Sequence, residues 1–205
     1  MLTLGLTGPT GSGKAVVASL FASFGIPSID TDAVYRDLLV PPSACLDELV
    51  EAFGDTIRNP DGTLCRRALA SIVFSDRAAL ERLNAIAHRH ILAEARRRIE
   101  TLRGTGVPAV LLDAPQLYEA HAETDCDAVI AVIADRETRL RRIMVRDGIA
   151  ESDALRRIDA QHSEAFFRSH ADYIIENDSS ANALLPAVRA ILTSLGILRK
   201  EAGDP

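Results

Sequence analysis

Short aliphatic runs punctuate the chain at residues 2–7, 26–29, 107–112, 128–133 and 173–175. Each is rich in Val, Ile or Leu and lacks polar alternation, so each predicts a strand buried on both faces. Stretches of helical spacing lie between them. The first follows Lys14, with Val16, Val17, Leu20, Phe21 and Phe24 as its apolar positions, and stops at Gly25, a favourable C-terminal cap. Others run over about 76–100, where Leu80, Leu83, Ala87 and Ile91 share a stripe, over 136–146, and over 182–195 ahead of Gly196. Strands alternating with helices require crossover connections, which predicts an α/β fold with a mainly parallel sheet in one domain, 1–205. Two segments exceed a simple crossover. Residues 33–105 carry only helical or irregular patterns and read as a helical substrate-binding subdomain; residues 136–169 carry two charged helical stretches and read as a mobile lid. There is no internal repeat or low-complexity tract, and the tail, 200–205, is expected to fray.

Charge then narrows the range of functions. The 205 residues hold 23 Lys plus Arg against 29 Asp plus Glu, a net charge of −6. No basic excess exists to displace counterions from a nucleic-acid backbone. Six Phe, three Tyr and no Trp leave little for a base-stacking platform. Apolar residues at 47% and charged residues at 25% are globular proportions, which exclude disorder, collagen and coiled-coil rods. Cys45, Cys65 and Cys126 form neither a metal-ligand pair nor an even disulfide framework, as expected in a reducing compartment. The opening MLTLGLTGPTGSGK has no positive charge before Lys14 and runs straight into a turn, so it reads as a strand and not a signal peptide. No apolar run approaches the ~18 residues that a spanning helix requires. Asn177-Asp178-Ser179 matches a glycosylation acceptor pattern, which is accidental in a cytosolic chain. The expectation is a cytoplasmic protein acting on small molecules, with neither nucleic acid nor membrane as partner and with its oligomeric state open.

The chemistry concentrates at strand ends. Gly8-Pro9-Thr10-Gly11-Ser12-Gly13-Lys14 follows a strand and opens a helix. Its glycines permit a loop whose amides turn inward around phosphate oxygens, reinforced by the helix N-terminus, while Lys14 adds a mobile positive charge. The next position, where a hydroxyl would ligate Mg²⁺, holds Ala15, and Val16 follows it. A methyl group cannot coordinate a cation, so Mg²⁺ here either relies on water and acidic residues or binds weakly. Nothing in the spacing assigns Thr10 or Ser12 as a substitute. Asp30-Thr31-Asp32 follows the second strand, at the end where open parallel sheets bind ligands. Such acids either orient and deprotonate an attacking alcohol and support a metal, or simply cap the following helix. The third strand closes on Asp113, which either holds Mg²⁺ directly or through water, or is a solvated strand-end acid; Glu119 is a weaker candidate of the same kind. Arg136, Arg139, Arg141, Arg142 and Arg146 crowd one helix, with 139, 142 and 146 on one face. That face either meets a triphosphate or is solvated and paired with Asp135, Glu137 and Asp147. Arg96, Arg97 and Arg98 look like ordinary surface, and His88 and His90 lack a metal-ligand partner set.

Taken in order, these segments resemble the dephospho-CoA kinase family over nearly the whole chain. GLTGPTGSGK is similar to the family's opening, and SIDTDAVYR resembles its D-A-D segment, whose second Asp corresponds to Asp32 as the base. DGTLCRRALASIVF, LNAIAH, LLDAPQLYE, RRIMVRDG, RIDAQ and ADYIIENDSS complete the series. The resemblance implies a P-loop NTPase-like core of five parallel strands flanked by helices, a helical CoA-binding insertion and a helical lid. It implies ATP as donor, Mg²⁺ as cofactor and dephospho-CoA as acceptor. By the same resemblance Asp32, Lys14, Arg142 and Arg146 are catalytic. Gly8, Gly11, Ser12, Gly13, Lys14, Ala15, Val16 and Asn177 bind ATP, with the Asn177 loop near the adenine. Asp32, Tyr35, Arg36, His88 and Pro115 contact the acceptor, and Asp30 and Asp113 serve the metal. The chain departs from the family pattern at Ala15, at Arg89 where Pro is usual, at Phe167 where Lys is common, and at Pro9. The expected function is phosphorylation of the ribose 3′-hydroxyl of dephospho-CoA. The alternatives are a catalytically impaired nucleotide-binding paralogue and a kinase for another small alcohol or nucleoside.

Overall fold

The computed structural model describes residues 1–178 and 183–199. The tail from 200, the expected helix start at 182 and Ser179 of the acceptor pattern lie outside the described residues. The strands are β1 (Leu2–Thr7), β2 (Ser28–Asp30), β3 (Ala109–Asp113), β4 (Ala128–Ile133) and β5 (Tyr173–Glu176). They form one parallel sheet in the order β2-β3-β1-β4-β5, with Leu4 of β1 beside Leu111 of β3 and Ala128 of β4. The sequence places β2 and β3 about two residues early, because Ile26 and Val107 continue the apolar runs before the ladder begins.

Alternation along each strand divides the core between the two faces. Leu4, Leu6, Ile130 and Val132 point to one face, where they pack with Val17 and Phe21 of α1 (Lys14–Ser23) and Val188 and Leu192 of α9 (Leu184–Ser194). Ala131 and Ile133 point to the other, where they meet Phe167 of α8 (Glu164–His170). Between β4 and β5 the chain makes three helices, α6 (Arg136–Asp147), α7 (Glu151–Asp159) and α8, one more than the pattern predicts. Helices α6 and α7 pack together through Ile143, Ala154 and Ile158.

The chain divides into two compact units, Met1–Ser28 with Leu102–Pro205, and Ile29–Thr101. The second unit holds α2 (Thr31–Leu38), α3 (Ala44–Phe53), a 3-10 turn at Asp55–Ile57, α4 (Arg66–Val73) and most of α5 (Arg77–Arg103). Leu39, Cys45, Leu49, Ile57, Leu69, Val73 and Ile86 give it a core of its own.

Candidate active site

The glycine loop joins β1 to α1. Gly13 stands at φ +91°, a left-handed conformation, and a Cβ there would overlap the Asn177 amide nitrogen. Only glycine fits on both counts. Within the loop the Ser12 N–H donates to the Pro9 carbonyl at 3.1 Å, and the Val16 N–H donates to the Gly13 carbonyl at 3.0 Å. The amides of Ser12 and Val16, both expected to serve phosphate, are therefore engaged inside the protein, and the Val16 side chain is an exposed hydrocarbon. The amides of Gly13, Lys14 and Ala15 remain at the helix start, where no intrahelical acceptor exists for them. No side chain caps α1 and no acid sits in its first turn, so the positive end of the helix is uncompensated. Ala15 thus contributes a donor even though its side chain offers no metal ligand. The Ser12 hydroxyl is buried with no hydrogen-bond partner among the described residues.

The β-ladder sets Leu6 beside Asp113, which brings the end of β3 next to the loop that leaves β1. Lys14 Nζ forms an ion pair there with the Asp113 carboxylate, both side chains being largely buried. The Pro115 carbonyl, two residues on, accepts from the Thr7 hydroxyl at 3.5 Å.

Three arginines of α6, Arg139, Arg142 and Arg146, contact the loop through its carbonyl oxygens and the Thr10 hydroxyl. Arg142 Nη1 donates to the carbonyls of Gly11 and Ser12, each at 3.3 Å, and its Nη2 donates to the Asn177 carbonyl at 2.9 Å. The Asn177 amide in turn donates to the Ser12 carbonyl at 2.7 Å and is buried. Arg142 thus braces the loop through its backbone oxygens, and the buried Asn177 amide holds Ser12. Arg146 is more exposed; it donates to Asp147 at 2.7 Å and reaches the Thr10 hydroxyl at 3.5 Å. The hydrogen bond to Asp147 raises the Arg146 pKa and lowers that of its partner.

Periodicity gave no sign of a further contact. The Thr10 N–H donates to Gln161 Oε1 at 2.8 Å, and Arg139 Nε donates to the Thr10 carbonyl at 2.9 Å. Gln161 was visible only as part of the RIDAQ segment, an uncharged residue after a charged helix, with nothing in its spacing to mark it.

In the second unit, Asp30 caps α2, its Oδ1 accepting from the amides of Asp32 at 2.8 Å and Ala33 at 3.2 Å. Asp30 is thus a helix cap, with its other oxygen 3.8 Å from Arg36. The Asp32 carboxylate, exposed in the first turn, makes no hydrogen bond or ion pair among the described residues. Tyr35 packs against the second core, and burial raises its pKa. His88 is half-buried on α5. Arg89 and His90 both engage Glu48, the His90 contact at 2.8 Å, and these bonds hold the Glu48 carboxyl below its usual pKa. Arg89 is thus an ion-pair residue where proline would have given none.

A family model described as dephospho-CoA kinase matches residues 2–183. The chain is 40% identical over 206 residues to the dephospho-CoA kinase of Moorella thermoacetica, covering 100% of this chain and 96% of that one. It is 39% identical over 184 residues to the dephospho-CoA kinase of Corynebacterium efficiens, covering 90% and 92%. Among solved structures, TT1252 from Thermus thermophilus matches with a TM-score of 0.79 at 35% identity, over 95% of this chain and 97% of that one.

Proposed function

Because the chain belongs to the dephospho-CoA kinase family, we propose that it transfers the terminal phosphoryl group of ATP to the ribose 3′-hydroxyl of dephospho-CoA. The products are ADP and coenzyme A, and the step is the last of CoA biosynthesis. The observation that carries this reading is the cradle at the start of α1: three amides without helical acceptors, an uncapped helix end, and Lys14 beside them. Such a site suits the phosphates of a nucleotide. Phosphoryl transfer asks the protein mainly for positioning and for charge at the migrating group. Lys14 and the amides of Gly13 and Ala15 supply both. Arg146, with a guanidinium that remains partly exposed, adds charge, while Arg142 and Asn177 fix the loop.

Asp32 is assigned as the base that orients the 3′-hydroxyl and accepts its proton. Its support is the resemblance of SIDTDAVYR to the family segment, together with a carboxylate uncommitted to any partner, in contrast to the capping Asp30. Tyr35, Arg36, His88 and Pro115 are assigned to acceptor binding on the resemblance alone. Residues 33–105 are assigned as the CoA-binding part and 136–169 as the lid.

The residues suit a cation that arrives with the nucleotide better than one held beforehand. No group of three His, Cys, Asp or Glu side chains that could hold a metal occurs among the described residues. Asp113 is the residue that would hold Mg²⁺, through water, once Lys14 turns to phosphate. Bound Mg²⁺ neutralises charge on the phosphates. Among the described residues no helix is long and apolar enough to cross a membrane. Small molecules are its proposed partners, with no nucleic acid, and the cytoplasm its proposed compartment. A catalytically impaired paralogue and a kinase for another alcohol are not favoured beside relatives that carry one name. Incubation with ATP, Mg²⁺ and dephospho-CoA is expected to release CoA and ADP in a coupled ADP assay. Turnover no higher than that of Asp32→Asn would refute the proposal.

A further inference from the structure

Three loop glycines take positive φ, at +146° for Gly8, +80° for Gly11 and +91° for Gly13. Glycine passes through these basins freely, so a loop with such joints does not hold one shape by its own torsions. Thr10 lies between two of them, and side chains capture both of its backbone groups. Its N–H donates to Gln161 Oε1 at 2.8 Å, and its carbonyl accepts from Arg139 Nε at 2.9 Å. Arg139 Nη2 donates to the same Gln161 oxygen at 3.3 Å, which closes a ring of three hydrogen bonds around one residue. Rotation of either peptide unit flanking Thr10 breaks the ring.

Arg139 is only 6% exposed and forms no ion pair among the described residues. A guanidinium placed to meet a nucleotide would keep its donors open, whereas here Nε and Nη2 are aimed at protein oxygens. Burial, and then the neighbouring Arg136 charge, lower its pKa, while Glu164 and Asp159 act in the opposite direction without forming an ion pair with it. Helix and loop also touch through backbone: a Cβ on Gly11 would come within 2.8 Å of the Arg139 carbonyl.

We infer that Arg139 and Gln161 are positioning residues for the reaction, which pin Thr10 and so hold the phosphate loop in its nucleotide-receiving shape before any nucleotide arrives. The inference rests on the reading of the loop as the nucleotide site. It assigns a cost to the pinning, because a polar residue and a cation are committed to protein contacts next to a site that attracts anions. It also predicts where a loss is felt: nucleotide affinity falls, while acceptor affinity does not.

Arg139 and Gln161 border a cavity of about 350 Å³, so truncating either removes hydrogen bonds with little disturbance of packing. Gln161 is exposed, which makes Gln161→Leu the variant that folds even if Arg139→Met does not. Direct ADP binding by calorimetry and steady-state kinetics with both substrates provide the test. Each single variant is expected to weaken ADP about tenfold, the scale of one or two net hydrogen bonds. The double variant is expected to be no weaker than the worse single, because both act through one residue. Arg139→Lys, which can make at most one of the two bonds, is expected to recover part of the loss. The KM for dephospho-CoA is expected to stay within about twofold of wild type, as residues acting through the loop alone require. Unchanged ADP affinity in Gln161→Leu, additive losses in the double variant, or an equal rise in the KM for dephospho-CoA would each overturn the assignment alone. Failure of the wild-type protein to bind ADP would overturn the nucleotide-site reading and the assignment with it.

Discussion

Asp30 and Asp32 stand one residue apart and do different work. A carboxylate that accepts two backbone amides is committed to a helix start, and the other is left with its lone pairs open. Asp32→Asn keeps the shape and removes the proton acceptor, so turnover is expected to fall by about 10²–10⁴ while ADP binding is retained. Asp30→Ala is expected to cost about 1 kcal/mol of stability, the usual loss of an N-cap, measured by urea unfolding. Ala15→Ser is expected to tighten nucleotide binding in the presence of Mg²⁺ and not in EDTA, because the new hydroxyl acts only through the metal. At this scale the loop was legible, since glycine spacing before a lysine encodes backbone geometry. The acids were legible as a pair and not as individuals, because the choice of cap depends on strand and helix boundaries that are uncertain by a residue or two. The loop contacts of Arg142 and Asn177 were hidden for a different reason. Their partners are carbonyl oxygens, which every residue carries and no sequence pattern marks.

Among the elements, α8 shows how a departure at one position changes an attachment. Phe167 is 4% exposed and packs on Ala131 and Ile133 of β4, with Tyr118 and Phe166 beside it. His162 and His170 stack on the two sides of Phe166, at centroid distances of 3.8 and 4.0 Å. A lysine at 167 could not bury its ammonium there without a partner. Phe167→Ala is therefore expected to cost about 3–5 kcal/mol, read from the denaturation midpoint. The pattern missed α8 as a separate helix because seven residues hold only two turns, too few for apolar periodicity to register. By contrast α5, with 27 residues, declared itself by its stripe and differed only at its ends. Strand β4 was read to the residue, since an aliphatic run bounded by Asp127 and Asp135 leaves little choice of ends.

For the molecule as a whole, acid sensitivity follows from carboxylates held below their ordinary pKa. Hydrogen bonds from Arg97 and then Arg98 bring Glu94 down from 4.5 to about 2. A carboxyl depressed in the folded state favours folding fully above its unfolded pKa, and that contribution disappears as the pH falls through the folded value. Stability from this group is thus expected to be complete above about pH 4.5 and to be lost toward pH 2. Glu94→Gln is expected to flatten that part of a stability-against-pH curve. Asp135, depressed mainly by the Thr138 amide, and Asp159, depressed mainly by the Arg136 hydrogen bond, act in the same direction. The parallel α/β plan was legible from the order of apolar runs. The chain divides into units at Ile29 and Thr101, as a long strandless segment must build its own core.

The pairing of Leu2 with Ala109 bears on how the protein is made. A ribosome delivers LTLGLT well before its neighbour, which follows only after on the order of a hundred further residues, a separation that slows closure of any sheet. The nascent chain therefore carries an unpaired strand of alternating leucines until β3 emerges, while the intervening helices can already condense around Leu49 and Ile57. Chaperone shelter during synthesis therefore matters for this strand, and so does every codon that delays the arrival of its partner.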